Sequence, residues 1–233
     1  MSGRRVMAVF RKQLKDTLKN KEVLIQFLMF PALSVIMGNA VAIPDMPANM
    51  FVHMFATMYV GMAPLICMSA IIAEEKEKNT LRVLMMSNVR GTEYLLGLGI
   101  YVLAVCMAGS LVFGLQGGYR GLELAGFMGI MFCGILTSTV IGGVIGIGSR
   151  NQMAATSVTV PVMMIFSFLP MIAMFNRTVA SVSGWIYTQR LNDLISKGVA
   201  EAGGWQSFAV IGANAFVGIA AFAVIYKKRG LLF

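Results

Sequence analysis

The chain has 233 residues, 58% of them apolar and only 12% charged, with a mean hydropathy of +0.77; soluble domains carry roughly 25% charge. Such a composition cannot cover a water-facing surface, which excludes a soluble enzyme or binding module and defines an integral membrane protein. The net charge of +9 does not indicate nucleic acid, because the bases fall between apolar runs rather than on one face of a soluble domain.

Residues 1–22 are basic, with Arg4, Arg5, Arg11, Lys12, Lys15, Lys19 and Lys21 against Asp16 and Glu22. Val6, Phe10, Leu14 and Leu18 recur at every fourth position, so a helix here has one apolar side and one cationic side. That pattern predicts an interfacial helix in the headgroup layer of an anionic leaflet. The first span is expected over 23–43, uncharged and containing Pro31. Ala40-Val41-Ala42 is similar to a signal-peptidase site, but the apolar run exceeds the roughly 7–15 residues of a leader, so the span is expected to be retained.

A short turn with Pro44, Asp45 and Pro47 leads to a second span over 51–73, where His53, Thr57, Gly61, Pro64 and Met68 share one side. That side suits close packing or the lining of a path. His53 is expected to be a hydrogen-bonded residue at the outer end of the span. A charged island follows, Ala73 to Glu93, with Glu74, Glu75, Lys76, Glu77, Lys78, Arg82, Arg90 and Glu93 around an apolar patch of Leu81, Val83, Leu84, Met85 and Met86. A segment that sits in water yet keeps an apolar face holds it for a partner.

Further spans are predicted over 94–115, 122–147, 153–175 and 208–226. The fourth contains Gly142-x-x-x-Gly146, which permits close helix approach. The fifth carries Pro161 and Pro170 and should bend, with Thr156, Ser157, Thr159 and Ser167 supplying hydroxyls to mend its hydrogen-bond ladder. Between the fifth and sixth spans, residues 176–207 mix polar side chains with Val179, Trp185, Tyr187 and Leu191, and are expected to form short helices on or dipping into the outer interface. Asn176-Arg177-Thr178 also fits the short and frequent glycosylation pattern. Cys67, Cys106 and Cys133 all lie in apolar runs without metal or disulfide spacing.

The fold class expected is therefore an all-α membrane protein, with residues 23–233 forming one six-span domain. Six spans place both termini on one side. That side receives fifteen of the nineteen bases; Arg120, Arg177, Arg190 and Lys197 are the four on the other, so the termini and the island are expected to be cytoplasmic. No Gly-x-x-x-x-Gly-Lys-Ser/Thr occurs, so the chain is not expected to be an ATPase. No acid or base lies well inside a span, which argues against an ion-coupled carrier.

The order of these features resembles the permease subunits of type-2 ATP-binding-cassette exporters: a basic amphipathic opening, Phe30-Pro31, a second span running into Glu74-Glu75-Lys76-Glu77-Lys78-Asn79-Thr80-Leu81-Arg82-Val83-Leu84, then Ser87-Asn88-Val89-Arg90-Gly91 and a third span. The similarity covers nearly the whole chain, to Tyr226-Lys227-Lys228-Arg229-Gly230-Leu231. Family members often read Glu-x-Gly-Thr-Leu and then Ser-Pro-Val; here Asn79 replaces that Gly and Asn88 that Pro.

The resemblance implies a plasma-membrane exporter subunit that binds no cofactor or metal itself and pairs with a second permease. Cytoplasmic ATPase subunits would hold ATP and Mg. It implies that the coupling segment, residues 74–93, holds a coupling helix matched by Glu77 to Val89 and centred on Thr80 to Met85; Thr80 can cap it, and Leu81, Leu84 and Met85 have the spacing of a docking face. Glu74, Glu75, Glu77 and Arg82 would form its polar rim. From family architecture and local polarity, Ser34, Asn39, Thr57, Gly61, Thr159 and Phe166 are expected along a path for an apolar or amphipathic cargo. A non-transporting membrane partner, such as an immunity or sensor subunit, and a stand-alone channel or secondary carrier remain alternative readings.

Overall fold

The computed structural model describes residues 2–19, 21–41, 47 and 49–229. Ala42 and Ile43 of the expected first span, the following Pro44 and Asp45, and the terminal Gly230 and Leu231 lie outside them. Every regular element among the described residues is helical: α1 (Gly3–Lys19), α2 (Lys21–Ala40), α3 (Met50–Glu77), α4 (Thr80–Met86), α5 (Gly91–Gln116), α6 (Leu122–Gly148), α7 (Gln152–Ala173), α8 (Arg177–Ser183), α9 (Tyr187–Glu201) and α10 (Trp205–Arg229). Five of these, α3, α5, α6, α7 and α10, are long and apolar enough to cross a membrane. Helix α2, expected to be the first span, has a described apolar stretch from Phe27 to Ala40. The architecture is consistent with an all-α membrane protein.

Helix α3 is the centre of the bundle, packing against α2, α5, α6, α7 and α9. Its approach to α6 is closest where α6 has no side chain. A Cβ on Gly142 would lie 2.6 Å from the Leu65 carbonyl oxygen, and one on Gly146 would lie 3.0 Å from that of Ser69. The Gly142-x-x-x-Gly146 pattern thus works here as an intramolecular seam. One turn before Gly142, Ser138 sends its hydroxyl to the Val60 carbonyl at 2.6 Å, so the same stripe is bonded as well as tightly packed. On the other side of α3, Thr159 of α7 donates to Ser69 Oγ at 3.0 Å and Ser167 reaches the Met58 carbonyl at 3.3 Å. Two of the four hydroxyls expected to mend the α7 ladder therefore bridge to α3, while Thr156 and Ser157 do bond their own helix.

The stretch after α7 forms a helical hairpin, α8 and α9, that enters the bundle. Tyr187 and Leu191 are fully buried, and the Tyr187 hydroxyl lies 2.8 Å from Ser138 Oγ. Ser138 stands roughly 24 Å along α6 from Leu122, at about 1.5 Å per residue. The non-helical backbone between α8 and α9 is therefore deep, and its carbonyls need partners from protein. They have them: Arg190 Nε donates to Gly184 O at 2.7 Å and Asn214 Nδ2 to Trp185 O at 3.0 Å. Arg190 stood among the outer bases in the sequence; the hairpin carries it inward, three residues beyond Tyr187.

At the end of the bundle opposite the island, His53 Nε2 lies 2.8 Å from the Tyr119 hydroxyl, in keeping with the hydrogen-bonded role expected of it. Asn49 donates to the Gly117 carbonyl at 2.9 Å, fixing the start of α3 to the turn after α5.

Candidate functional site: the charged island

The charges of the island are organised by helix ends. Helix α3 continues through Glu77 rather than stopping near Ala73, so Glu74, Glu75, Lys76 and Glu77 occupy its last turn. Lys76 Nζ donates to Ile147 O at 2.8 Å and Ser149 O at 2.6 Å, at the C-terminus of α6 where unpaired carbonyls favour a cation. Glu77 accepts the Gln152 backbone N–H at 2.8 Å, at the start of α7 where a carboxylate is favoured. Glu74 holds Lys78 one turn on, which raises the Lys78 ammonium above its ordinary pKa.

Two buried carboxylates fasten α1 to this end. Glu75 Oε1 accepts from the Lys12 ammonium and from Gln13 Nε2, the latter at 2.6 Å. Glu93, in the first turn of α5, accepts the Ser2 N–H at 2.7 Å and the Arg90 N–H at 3.0 Å, with Arg5 Nη1 3.5 Å away. Thr17 pairs with the Tyr101 hydroxyl, and Val9 packs where Gly97 leaves room on α5. The buried line of α1 is therefore Val9, Gln13 and Thr17. Leu18, expected on the apolar side, is exposed, because what α1 meets on α3 and α5 is a set of polar partners flanked by apolar ones.

A short helix, α4, lies where the docking helix is expected, but its faces differ from those read in the sequence. Leu81 is 1% exposed and Leu84 and Met85 pack against the core, so the i, i+3, i+4 stripe holds α4 to its own bundle. The side chains left facing outward are Val83, at 62% exposure, and Met86, at 81%, with Arg82 beside them. Glu75, expected on the polar rim, is buried against α1. Thr80, expected to be the cap, is the first helical residue; its hydroxyl donates to Glu75 O at 3.2 Å, while Asn79 holds the cap position without a side-chain cap bond.

Both departures from the family pattern sit at left-handed backbone. Asn79 has φ 57° and Asn88 has φ 68°, a region that Asn tolerates better than other residues with a Cβ. At the end of α4 the Val89 N–H reaches Leu84 O at 3.3 Å and the Asn88 N–H reaches Met85 O at 3.0 Å. These bonds, with the left-handed residue between them, make a Schellman ending. Proline, fixed near φ −65°, cannot occupy position 88 in this geometry.

The residues expected along a cargo path do not converge. Thr57 donates to His53 O at 2.8 Å and lies 3.2 Å from Asn192 Oδ1. Gly61 faces Ser167 across the α3–α7 contact, and Thr159 is bonded to Ser69. These three are buried packing positions. Ser34 is buried on α2, where its carbonyl accepts from Gln116, and Asn39 is exposed with its amide bonded to Val35 O. Phe166 borders an open cleft of about 370 Å³, together with Val162, Asn214 and Val217.

The fold and the island together describe an all-helical chain compatible with a transmembrane protein, with one end organised by charge. Compared with protein-family models and with curated protein sequences, the chain matches none.

Proposed function

We propose that the chain is the membrane permease subunit of an ATP-driven exporter, working with separate cytoplasmic ATPase subunits and a second permease copy or homologue. In this reading α2 is the first of six spans, both termini and the island face the cytoplasm, α1 lies at the inner surface of the plasma membrane, and ATP and Mg belong to the partner. The observation that carries the reading is α4: a seven-residue helix fixed to the bundle through buried Leu81, with Val83 and Met86 turned outward. Two exposed apolar side chains on a helix between charged segments fit the groove of a protein partner.

The surroundings supply a route for motion. A displacement of α4 is passed to α3 through Asn79 and Thr80, and Glu75 and Glu93 make α1 move with α3 and α5. The cleft beside Phe166, apolar apart from Asn214, favours an apolar or amphipathic cargo such as a drug-like molecule, a peptide or a lipid-linked compound.

The test has two arms. A tagged chain solubilised from its native membrane should co-purify with an ATPase, and inside-out vesicles should take up cargo only with ATP. Met86→Asp should abolish both while leaving the solubilised chain monodisperse. Recovery without any ATPase, with Met86→Asp fully active, refutes the reading; ATPase capture without uptake of any cargo class favours a non-transporting partner.

A further inference from the structure

The island end also carries an open groove that neither α4 nor the cleft beside Phe166 uses. Helices α5 and α10 stand apart, with α6 and Met68 of α3 forming the floor between them. The groove measures about 460 Å³, and Leu95, Gly99, Leu103, Leu136, Ile219 and Phe222 are among its walls. Its lining on α5 runs from Thr92 to Leu103, roughly 16 Å at about 1.5 Å per residue. That is close to half of a hydrocarbon core of about 30 Å, the depth of one leaflet.

The groove is almost wholly apolar, and the two helices that wall it carry bases beyond its lining, toward the island side. Arg90 is exposed two residues before Thr92, and Lys227 and Lys228 are exposed at the end of α10, just beyond Phe222. Among the described residues, none of these three makes a salt bridge within 4 Å. The acids nearby are engaged elsewhere: Glu93 with Ser2, Arg5 and the Arg90 backbone, and Glu75 with α1. An apolar slot about one leaflet deep, on helices that carry three exposed cations just beyond it, suits a phospholipid with its acyl chain in the slot and its anionic headgroup toward the bases.

We propose that this groove binds an anionic phospholipid of the leaflet on the island side. The inference rests on the bundle being in a membrane and is independent of whether an ATPase docks on α4. Gly99 offers a clean way to fill the groove, because a Cβ there meets no atom within 4 Å. Arg90, Lys227 and Lys228 should each contribute about fivefold to selectivity for an anionic over a zwitterionic headgroup at low salt.

The full-length chain would be placed in nanodiscs of phosphatidylcholine containing trace spin-labelled phosphatidylglycerol or spin-labelled phosphatidylcholine. The expected result is a motionally restricted fraction for phosphatidylglycerol that exceeds the phosphatidylcholine fraction and shrinks with salt. Native mass spectrometry should retain about one phosphatidylglycerol per chain, lost in Gly99→Leu, with headgroup preference lost in Arg90→Gln/Lys227→Gln/Lys228→Gln. Equal restriction of the two lipids by the wild-type chain overturns the proposal without reference to any variant. So does a Gly99→Leu chain that keeps its lipid but changes from dimer to monomer, which would assign the groove to a helix of a second copy.

Discussion

Where α6 crosses α3, contact is made by removing side chains: Gly142 and Gly146 bring backbone within van der Waals reach, and the short Ser138 hydroxyl bridges to the Val60 carbonyl. At the island end the elements meet through long charged side chains, Lys76 to the end of α6, Glu77 to the start of α7, Lys12 to Glu75. The first kind of contact has no slack, since a Cβ meets carbonyl oxygen. The second tolerates small rotations, because a carboxylate accepts from several directions and a lysine stem can follow. The glycine seam is thus suited to defining the fold, and the island to changing its arrangement while staying connected.

The sharpest way to break this contrast is at the seam. Gly142→Leu should cost about 3 kcal/mol, since the obstacle is the Leu65 backbone rather than a side chain that can turn away. Loss of the monodisperse peak in detergent, or a large fall in Tm, would be the readout. Gly129→Ala, on the same helix but with nothing within 4 Å of its Cβ, should be neutral or stabilise by up to about 1 kcal/mol. Equal effects of the two would mean that the seam is not tight.

At the island, Glu75→Gln should lower stability by about 2 kcal/mol by weakening a charge-assisted bond to Lys12. The sign of the coupling is more telling than its size. Lys12→Met should cost much less in a Glu75→Leu background than in the wild type, and additive costs in a double-mutant cycle would show that the pair is not coupled. The same cycle between Gly142 and Ser138 has no charge to remove and should not respond to salt, whereas the Lys12–Glu75 coupling should weaken as salt rises.

How much of this was legible beforehand varies with the kind of contact. The apolar runs and the glycine spacing marked the long helices to within a few residues, because span length and close packing are local requirements. The extension of α3 through Glu77 was not legible, since its charges are stabilised by the ends of α6 and α7, remote in sequence. Periodicity placed Leu81, Leu84 and Met85 on one stripe correctly, but a stripe does not say whether it faces its own bundle or a visitor. Gln13 and Thr17 were hidden for the same reason: a polar residue is buried only when a distant partner awaits it, here Glu75 and Tyr101. Arg190 looked like an ordinary outer base, and only the hairpin's depth makes it a partner for the Gly184 carbonyl.

The most local effects are expected at the two asparagines that flank α4, and they test how finely its geometry is set. At position 88 the left-handed backbone closes the Schellman ending. Asn88→Pro, whose ring cannot reach φ 68°, should cost about 1–3 kcal/mol locally and expose the Val89 amide to hydrogen exchange. Asn88→Gly keeps the geometry and should leave that amide protected. At position 79 the residue ends α3 and begins α4 at φ 57°, again within reach of Gly. Asn79→Gly should change stability by no more than about 0.5 kcal/mol, whereas Asn79→Val, which pays the left-handed penalty, should cost about 1–2 kcal/mol. If Asn88→Pro left α4 protected, the helix would have a second way to end; if Asn79→Val were silent, the junction between α3 and α4 would be free to rotate, and a push on Met86 would not reach α3.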